Sequence, residues 1–190
     1  MEVTHTITYL AETCSVAARL DSAKVEEMVR ELVALREREG RLWLCGLGGS
    51  AANASHAVCD FRRLCAIEAY CLTDNTAEFT AKANDNGWRQ AFPLEYAKEG
   101  DALFVLSVGG GTESVSLPIN EALNQAIMIG MRILGIVGID GGNTAKLGNC
   151  VIVIPTVQGS RVTPHTEGWQ SVLLHAIVSH PDLQRKPTKW

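Results

Sequence analysis

The chain has 190 residues, of which 46% are hydrophobic and 20% are charged, with a formal net charge of −4. This composition is typical of a soluble globular protein, and it predicts one domain over residues 1–190 whose core needs no disulfide or metal. The acidic balance argues against nucleic-acid binding, and the lack of any run of about 20 apolar residues argues against a membrane span.

The N-terminal residues contain neither the basic segment nor the apolar segment of a secretory signal, so we expect a cytoplasmic location. The six cysteines form no C-x-x-C motif and mostly fall in apolar stretches. They are therefore predicted to be buried, reduced thiols.

Residues 1–40 are predicted to form two helices that precede the first strand. In the first helix, apolar residues recur at spacings of four and three. They are Val3, Ile7, Leu10, Cys14 and Ala17. Asp21-Ser22 is a cap signal for the second helix. This segment is either an arm for oligomerisation or a layer packed on the protein's own sheet.

Five apolar runs alternate with helical segments between residues 41 and 183. The runs are 42–45, 67–72, 102–107, 133–139 and 151–154. Because they are continuously apolar, they predict strands that are covered on both faces. We therefore expect a three-layer α/β/α sandwich with a five-stranded, largely parallel sheet, followed by a polar tail from residue 184 that frays.

Two glycine-rich loops follow predicted strands. The first, Gly46 to Ser50, and the second, Ser107 to Ser114, both run toward a helix. Ligands of such sheets bind beyond the carboxyl ends of the strands, and glycines let an anion approach the backbone N–H groups. Two such loops at one sheet edge favour a phosphorylated small molecule as the ligand.

Histidines and carboxylates are paired at helical spacing in two places. His56 and Asp60 are four residues apart, and Glu167 and His175 are eight apart, so each pair shares a helix face. Together the four side chains predict a site for a divalent metal such as zinc, or an acid and base pair.

In this order the motifs GLGGSAANASHAVCD and NDNGW, the loop after the third strand and the histidine-bearing last helix resemble the SIS-domain sugar-phosphate proteins. Within them, the chain is most similar to the phosphoheptose isomerases. The resemblance implies a homotetramer with active sites between subunits. It also implies interconversion of sedoheptulose 7-phosphate and a manno-heptose 7-phosphate, often with zinc.

The resemblance also implies roles for individual residues. His56, Asp60, Glu167 and His175 fall on metal-site positions, with Asp60 as the general base and His175 as the general acid. Glu167 stands where the family usually has Gln. The residues expected to contact the substrate are Gly48, Gly49, Ser50, Asn84, Asp85, Ser107, Gly109, Thr112 and Glu167.

Several residues depart from the family pattern. Asp60 replaces the usual Glu, Leu47 replaces the usual Asn, and the phosphate loop has lost two hydroxyls and gained glycines. The following helix carries Pro118, which predicts a break in that helix. These departures indicate a divergent branch and leave a different substrate as an alternative.

The sequence therefore predicts aldose–ketose isomerisation of a sugar phosphate through an enediol. One alternative is a SIS protein that binds a sugar phosphate without turnover and regulates other processes. A second alternative is a dinucleotide-binding enzyme, because Gly46, Gly48 and Ala51 fit the relaxed G-x-G-x-x-A pattern. Its expected acid is poorly placed, with Glu68 too early and Asp74 too late.

Overall fold

The computed structural model describes residues 4–189, so the prediction for Val3 lies outside the described residues. The seven helices of this part of the chain are α1 (His5–Arg19), α2 (Ser22–Glu37), α3 (Gly49–Leu64), α4 (Thr76–Asp85), α5 (Leu117–Ile129), α6 (Gly142–Leu147) and α7 (Val162–Val178). The strands are β1 (Leu42–Cys45), β2 (Ala69–Cys71), β3 (Ala102–Ser107), β4 (Arg132–Val137) and β5 (Cys150–Val153).

The five strands form one sheet in the order β2-β1-β3-β4-β5, and every neighbouring pair is parallel. The predicted α/β fold is confirmed. Because β1 lies between β2 and β3, the chain reverses direction across the sheet at this point, which is where ligands of such folds bind.

Alternate residues of each central strand pack against opposite layers of helices. In β1, Leu42 and Leu44 face the core formed with α2, α3 and α7, whereas Trp43 and Cys45 face the core formed with α5. Burial on both sides explains why these strands are apolar at every position.

The second helix of the N-terminal segment packs on the sheet. Asp21 caps α2 through Oδ1, which accepts the N–H groups of Ala23 and Lys24, and Met28 and Leu32 are fully buried in the core. The alternative in which this segment packs on its own sheet therefore holds for α2. The division of the chain into an arm, 1–40, and a core, 41–183, stays a prediction.

The first helix is attached mainly at its C-terminal half. Val16 is buried, but Ile7 and Leu10 of the predicted apolar stripe are 48% and 58% exposed. In the described chain, this stripe therefore does not pack against another helix.

Two predictions about local structure were wrong. Pro118 does not break α5, because the helix begins at Leu117 and the first turn tolerates a proline. Cys14 and Cys59 are exposed, although the other four thiols are buried and free as predicted. No helix of residues 4–189 is both long and apolar enough to cross a bilayer.

Candidate functional site

A cavity of about 260 Å³ lies where the loops after β1 and β3 meet. It is lined by Leu47, Ser50, Ser107, Val108, Gly109, Gly111, Thr112, Val115, Ser116 and Ile139. The predicted substrate residues Ser50, Ser107, Gly109 and Thr112 are thus brought together at the carboxyl edge of the sheet.

The two hydroxyls of the loop after β3, residues 107–112, accept hydrogen bonds from the backbone of the loop. Ser107 Oγ accepts the N–H of Gly110 at 3.0 Å. Thr112 Oγ1 accepts the N–H groups of Ser114 and Val115 at 3.3 and 3.0 Å. Because each hydroxyl accepts in these contacts, its proton remains available to a ligand anion.

The loop after β3 is held against the loop after β4 by backbone contacts. The carbonyl of Gly110 accepts the N–H and the hydroxyl of Thr144 at 3.0 and 2.7 Å, and the carbonyl of Gly111 accepts the N–H of Asn143 at 2.9 Å. A Cβ atom at Gly110 would collide with the carbonyl of Gly141. The loop therefore directs its carbonyls toward α6, and only a glycine at position 110 allows its backbone to come this close to that of Gly141.

Ser50 is a buried hydroxyl at the edge of this cavity. It is 1% exposed, and its Oγ has no hydrogen-bond partner in the protein. A buried hydroxyl without a partner is costly, so a ligand atom in the cavity would satisfy it. Before it in the first loop, Gly48 has a φ of +61° and caps α3.

His56, Asp60 and His175 converge on the outer surface between α3 and α7. The Nε2 atoms of the two histidines are 3.1 Å apart, and they lie 3.3 and 3.8 Å from Asp60 Oδ2. The side chains of His56 and His175 are 55% and 56% exposed, whereas that of Asp60 is 20% exposed. The structure thus brings three of the four predicted metal ligands together.

The spacing of these three atoms fits a small divalent metal. Ligands of tetrahedral zinc at about 2.0–2.1 Å are separated from one another by about 3.3 Å. The observed separations of 3.1, 3.3 and 3.8 Å are near this value. The donors are two imidazoles and a carboxylate, a set that leaves a fourth position open for substrate or water.

Glu167, the fourth predicted ligand, lies apart from this trio. Glu167 lies in the first half of α7. Its carboxylate is so close to Gly49 that a Cβ atom on that glycine would collide with it. Its backbone carbonyl accepts a hydrogen bond from Asn53 Nδ2 at 2.9 Å. The structure therefore places Glu167 beside the first glycine loop and does not group it with the other three ligands.

Asn84 and Asp85 are likewise not brought into the cavity. They lie at the C-terminal end of α4, both exposed, and Asn84 Nδ2 donates to Asp85 Oδ1 at 2.8 Å. Neither side chain lines the cavity or belongs to the trio.

The start of α7 is fastened to α1 by a charged network. Glu12 accepts hydrogen bonds from Arg161 and is 2.9 Å from His165 Nε2, while Tyr9 stacks on His165 with ring centroids 4.5 Å apart. The hydrogen bond from Arg161, followed by that from His165, lowers the pKa of Glu12 from 4.5 to about 2. The network fixes the turn of α7 that precedes Glu167.

Sequence reasoning missed the residues that support the loop after β3. Glu113, Asn120 and Asn143 are joined by side-chain hydrogen bonds next to this loop. Their separations in the chain follow no periodic pattern. The available signal was the position of Asn143, shortly after β4 in the first turn of α6, at the same edge of the sheet as the two glycine loops.

Comparison with known proteins identifies relatives over most of the chain. The family described as SIS domain matches residues 7–138. The phosphoheptose isomerase of Chlorobium phaeobacteroides is 36% identical over 157 residues, which cover 77% of this chain and 68% of the relative.

Two solved structures share the fold. The phosphoheptose isomerase of Neisseria gonorrhoeae superposes with a TM-score of 0.79 at 23% identity, covering 91% of this chain and 95% of the other. That of Francisella tularensis gives a TM-score of 0.80 at 20% identity, covering 94% of this chain and 96% of the other.

Proposed function

Because the chain belongs to the SIS-domain family and, within it, to the phosphoheptose isomerases, we propose that it isomerises a sugar phosphate between aldose and ketose. The proposed reaction converts sedoheptulose 7-phosphate into D-glycero-D-manno-heptose 7-phosphate. The observation that carries the proposal is the convergence of His56, Asp60 and His175 from two helices. A protein that only bound a sugar phosphate would need no such group of acid, base and metal ligands.

The proposed reaction proceeds by proton transfer from one carbon to its neighbour and by proton transfer between the two oxygens. Asp60 takes a proton from the carbon of the substrate next to its carbonyl, which forms the enediol. His175 moves a proton between the two oxygens of the enediol, and return of the proton from Asp60 to the neighbouring carbon yields the isomer. Asp60 is one methylene shorter than the Glu usual in the family, so the reacting carbon must lie closer to α3.

The phosphate group of the substrate is proposed to bind in the cavity, where Ser107, Thr112 and the backbone of Gly109 surround it. Ser50, which lacks a partner in the protein, would donate to the substrate. These contacts hold a part of the substrate that does not react, so they contribute to binding and orientation.

Zinc is the proposed metal, with His56, Asp60 and His175 as its candidate ligands. The proton transfers of Asp60 and His175 would then use the carboxylate oxygen and the ring nitrogen that do not bind the metal. When bound, it would polarise the substrate carbonyl as a Lewis acid. Glu167 is close enough to the first loop to contact the sugar, and we propose it as a substrate-binding residue. A role as a fourth metal ligand would require its side chain to turn away from Gly49.

We further propose that the protein is a homotetramer with active sites between subunits. The apolar side chains of Ile7 and Leu10 on α1 and Val172 on α7 are about half exposed, which suits contact with another copy. His56 and His175 are equally exposed, so a neighbouring subunit has access to the reaction centre. A cytoplasmic location stays a prediction of the sequence.

The direct experiment is to mix the purified protein with sedoheptulose 7-phosphate and follow formation of the aldose, with added zinc and with a chelator. Asp60→Asn is expected to lower kcat by about 10² to 10⁴-fold, the range for loss of a general base. Asp182→Asn, at an exposed carboxylate near the C-terminus, is the matched control and should leave turnover unchanged. Absence of conversion by the wild type under every metal condition would refute the function. Binding of the sugar phosphate in that case would favour a regulatory protein.

A further inference from the structure

The loop that is proposed to bind phosphate is followed directly by an acidic residue. Glu113 comes after Thr112, which lines the cavity, yet Glu113 is absent from the residues that line it. A carboxylate pointing into this cavity would repel a phosphate. The Glu113 side chain must therefore be held outside the cavity by other residues.

Asn120 holds the carboxylate of Glu113. It lies in the first turns of α5, is 2% exposed, and its Nδ2 donates to Glu113 Oε1 at 3.0 Å. Its Oδ1 accepts from Nδ2 of Asn143 at 2.6 Å, and the same Nδ2 is 3.4 Å from Glu113 Oε1. The three side chains form a closed network.

The direction of these hydrogen bonds follows from chemistry. An ionised carboxylate can only accept, so the amide NH₂ of Asn120 must face Glu113 and its oxygen must face Asn143. Asn143 must then present its own NH₂. No other arrangement satisfies the buried amide of Asn120.

The network also reaches the backbone of the anion loop. The N–H of Asn143 donates to the carbonyl of Gly111 at 2.9 Å, and Gly111 packs against Ile119, the residue before Asn120. Asn120 is thus connected to the loop on both sides, through Glu113 and through Asn143.

We propose that Asn120 is a positioning residue for phosphate binding. It turns the carboxylate of Glu113 away from the cavity and holds Asn143 against Gly111, so that the loop presents N–H groups and hydroxyls without a competing negative charge. This inference deepens the proposed function, on which it rests for the identity of the ligand as a phosphorylated substrate.

The test measures the affinity for inorganic phosphate by calorimetric titration, together with kcat and KM for sedoheptulose 7-phosphate. Asn120→Ala should weaken phosphate binding and raise KM about tenfold, the effect of about 1.4 kcal/mol, with kcat within about threefold. This split is expected because the phosphate group is bound equally in the ground state and the transition state. Adding Glu113→Gln to Asn120→Ala should recover most of the affinity, since the repelling charge is removed.

The matched control is Asn124→Ala, which changes the same residue type one turn later on α5, where the side chain is exposed. It should leave phosphate affinity and KM unchanged. If Asn120→Ala does not fold, Asn143→Ala breaks the same network at a half-buried position and should weaken phosphate binding in the same direction.

Three results would overturn the inference: wild-type protein that does not bind inorganic phosphate, a folded Asn120→Ala protein with unchanged phosphate affinity, or a double variant as weak as the single one. These results can be distinguished from the result expected if the proposed function itself is wrong. In that case the wild type would bind phosphate and respond to the substitutions but would not turn over the sugar.

Discussion

Three glycines at the cavity provide a graded test of why its loops have their shape. Gly110 has a φ of +68° and meets the carbonyl of Gly141, whereas Gly48 has a φ of +61° but open space around its Cα. Gly109 has a φ outside the left-handed region, and a Cβ atom there would be 4.0 Å from Ile139. Replacing each by alanine separates the cost of the backbone conformation from the cost of the collision.

The expected losses in the free energy of unfolding follow from these environments. At φ +61° and ψ −129°, Gly48 has a sparsely populated conformation that costs a residue with a Cβ atom about 1–3 kcal/mol, so Gly48→Ala should lose that amount. Gly110→Ala adds an overlap with backbone that can only be relieved by shifting a loop, for a further loss of about 1–3 kcal/mol. Gly109→Ala should be neutral or gain up to about 1 kcal/mol, because alanine restricts the unfolded chain.

The assay is urea denaturation of the four proteins, followed by circular dichroism and checked by thermal melting. For a chain of this length, 1 kcal/mol corresponds to a shift in Tm of about 2–4 °C, so Gly110→Ala should melt about 4–24 °C below the wild type. Gly110→Ala protein as stable as Gly48→Ala protein would refute the role of the contact between the loops. If Gly48→Ala protein is as stable as the wild type, a positive φ at this position does not carry the expected cost.

Three further predictions concern other parts of the chain. Asp101→Ala should destabilise the fold by about 3–5 kcal/mol in urea denaturation, because this fully buried carboxylate accepts hydrogen bonds from the guanidinium and backbone of Arg41 and from the indole of Trp43. The lowered pKa of Glu12 means that its contribution to stability is present above about pH 4.5 and is lost as the pH falls toward 2. The stability advantage of wild type over Glu12→Gln should therefore shrink over that interval, and an advantage that grows on acidification would contradict the network at the start of α7. Leu10→Lys, at a side chain that is 58% exposed, should dissociate the proposed tetramer in light scattering without unfolding the subunit, and an unchanged mass would place the contact elsewhere.

Much of the fold could be predicted because burial on both faces leaves a strong pattern. Leu42 to Cys45 and Ala102 to Ser107 are buried at every position, so the continuous apolar runs in the sequence predicted central parallel strands. Strand ends were less certain, since β2 extends only over Ala69–Cys71, within the longer run predicted at 67–72. Ile67 and Leu72 on either side of this strand are also buried, so the apolar pattern does not mark where the strand begins and ends.

The candidate site was predictable where it follows helical spacing and unpredictable where it depends on contacts between loops. His56 and Asp60 share a face of α3 by their four-residue separation, and His175 was expected on a later helix. Glu167 shares a face with His175 at eight residues, but this separation is about 12 Å along α7, too far for both to reach the same atom without a turn of the side chain. Asn120 and Asn143 come together only when α5 packs against the first turn of α6, and no local pattern signals this.

The contact among Gly110, Gly141 and Gly142 has a consequence for how this protein can vary during evolution. Gly142 would collide with the carbonyls of Gly109 and Gly111 if it carried a side chain, so the two loops confine each other. A larger residue in one loop is acceptable only if the other loop retreats in the same step, and a single substitution cannot achieve that. We therefore expect descendants of this chain to change the walls of the cavity, at positions such as Leu47, Val115 and Ile139, long before they change the glycines. New ligands would then differ first where they contact these walls and last where they contact the glycine backbone.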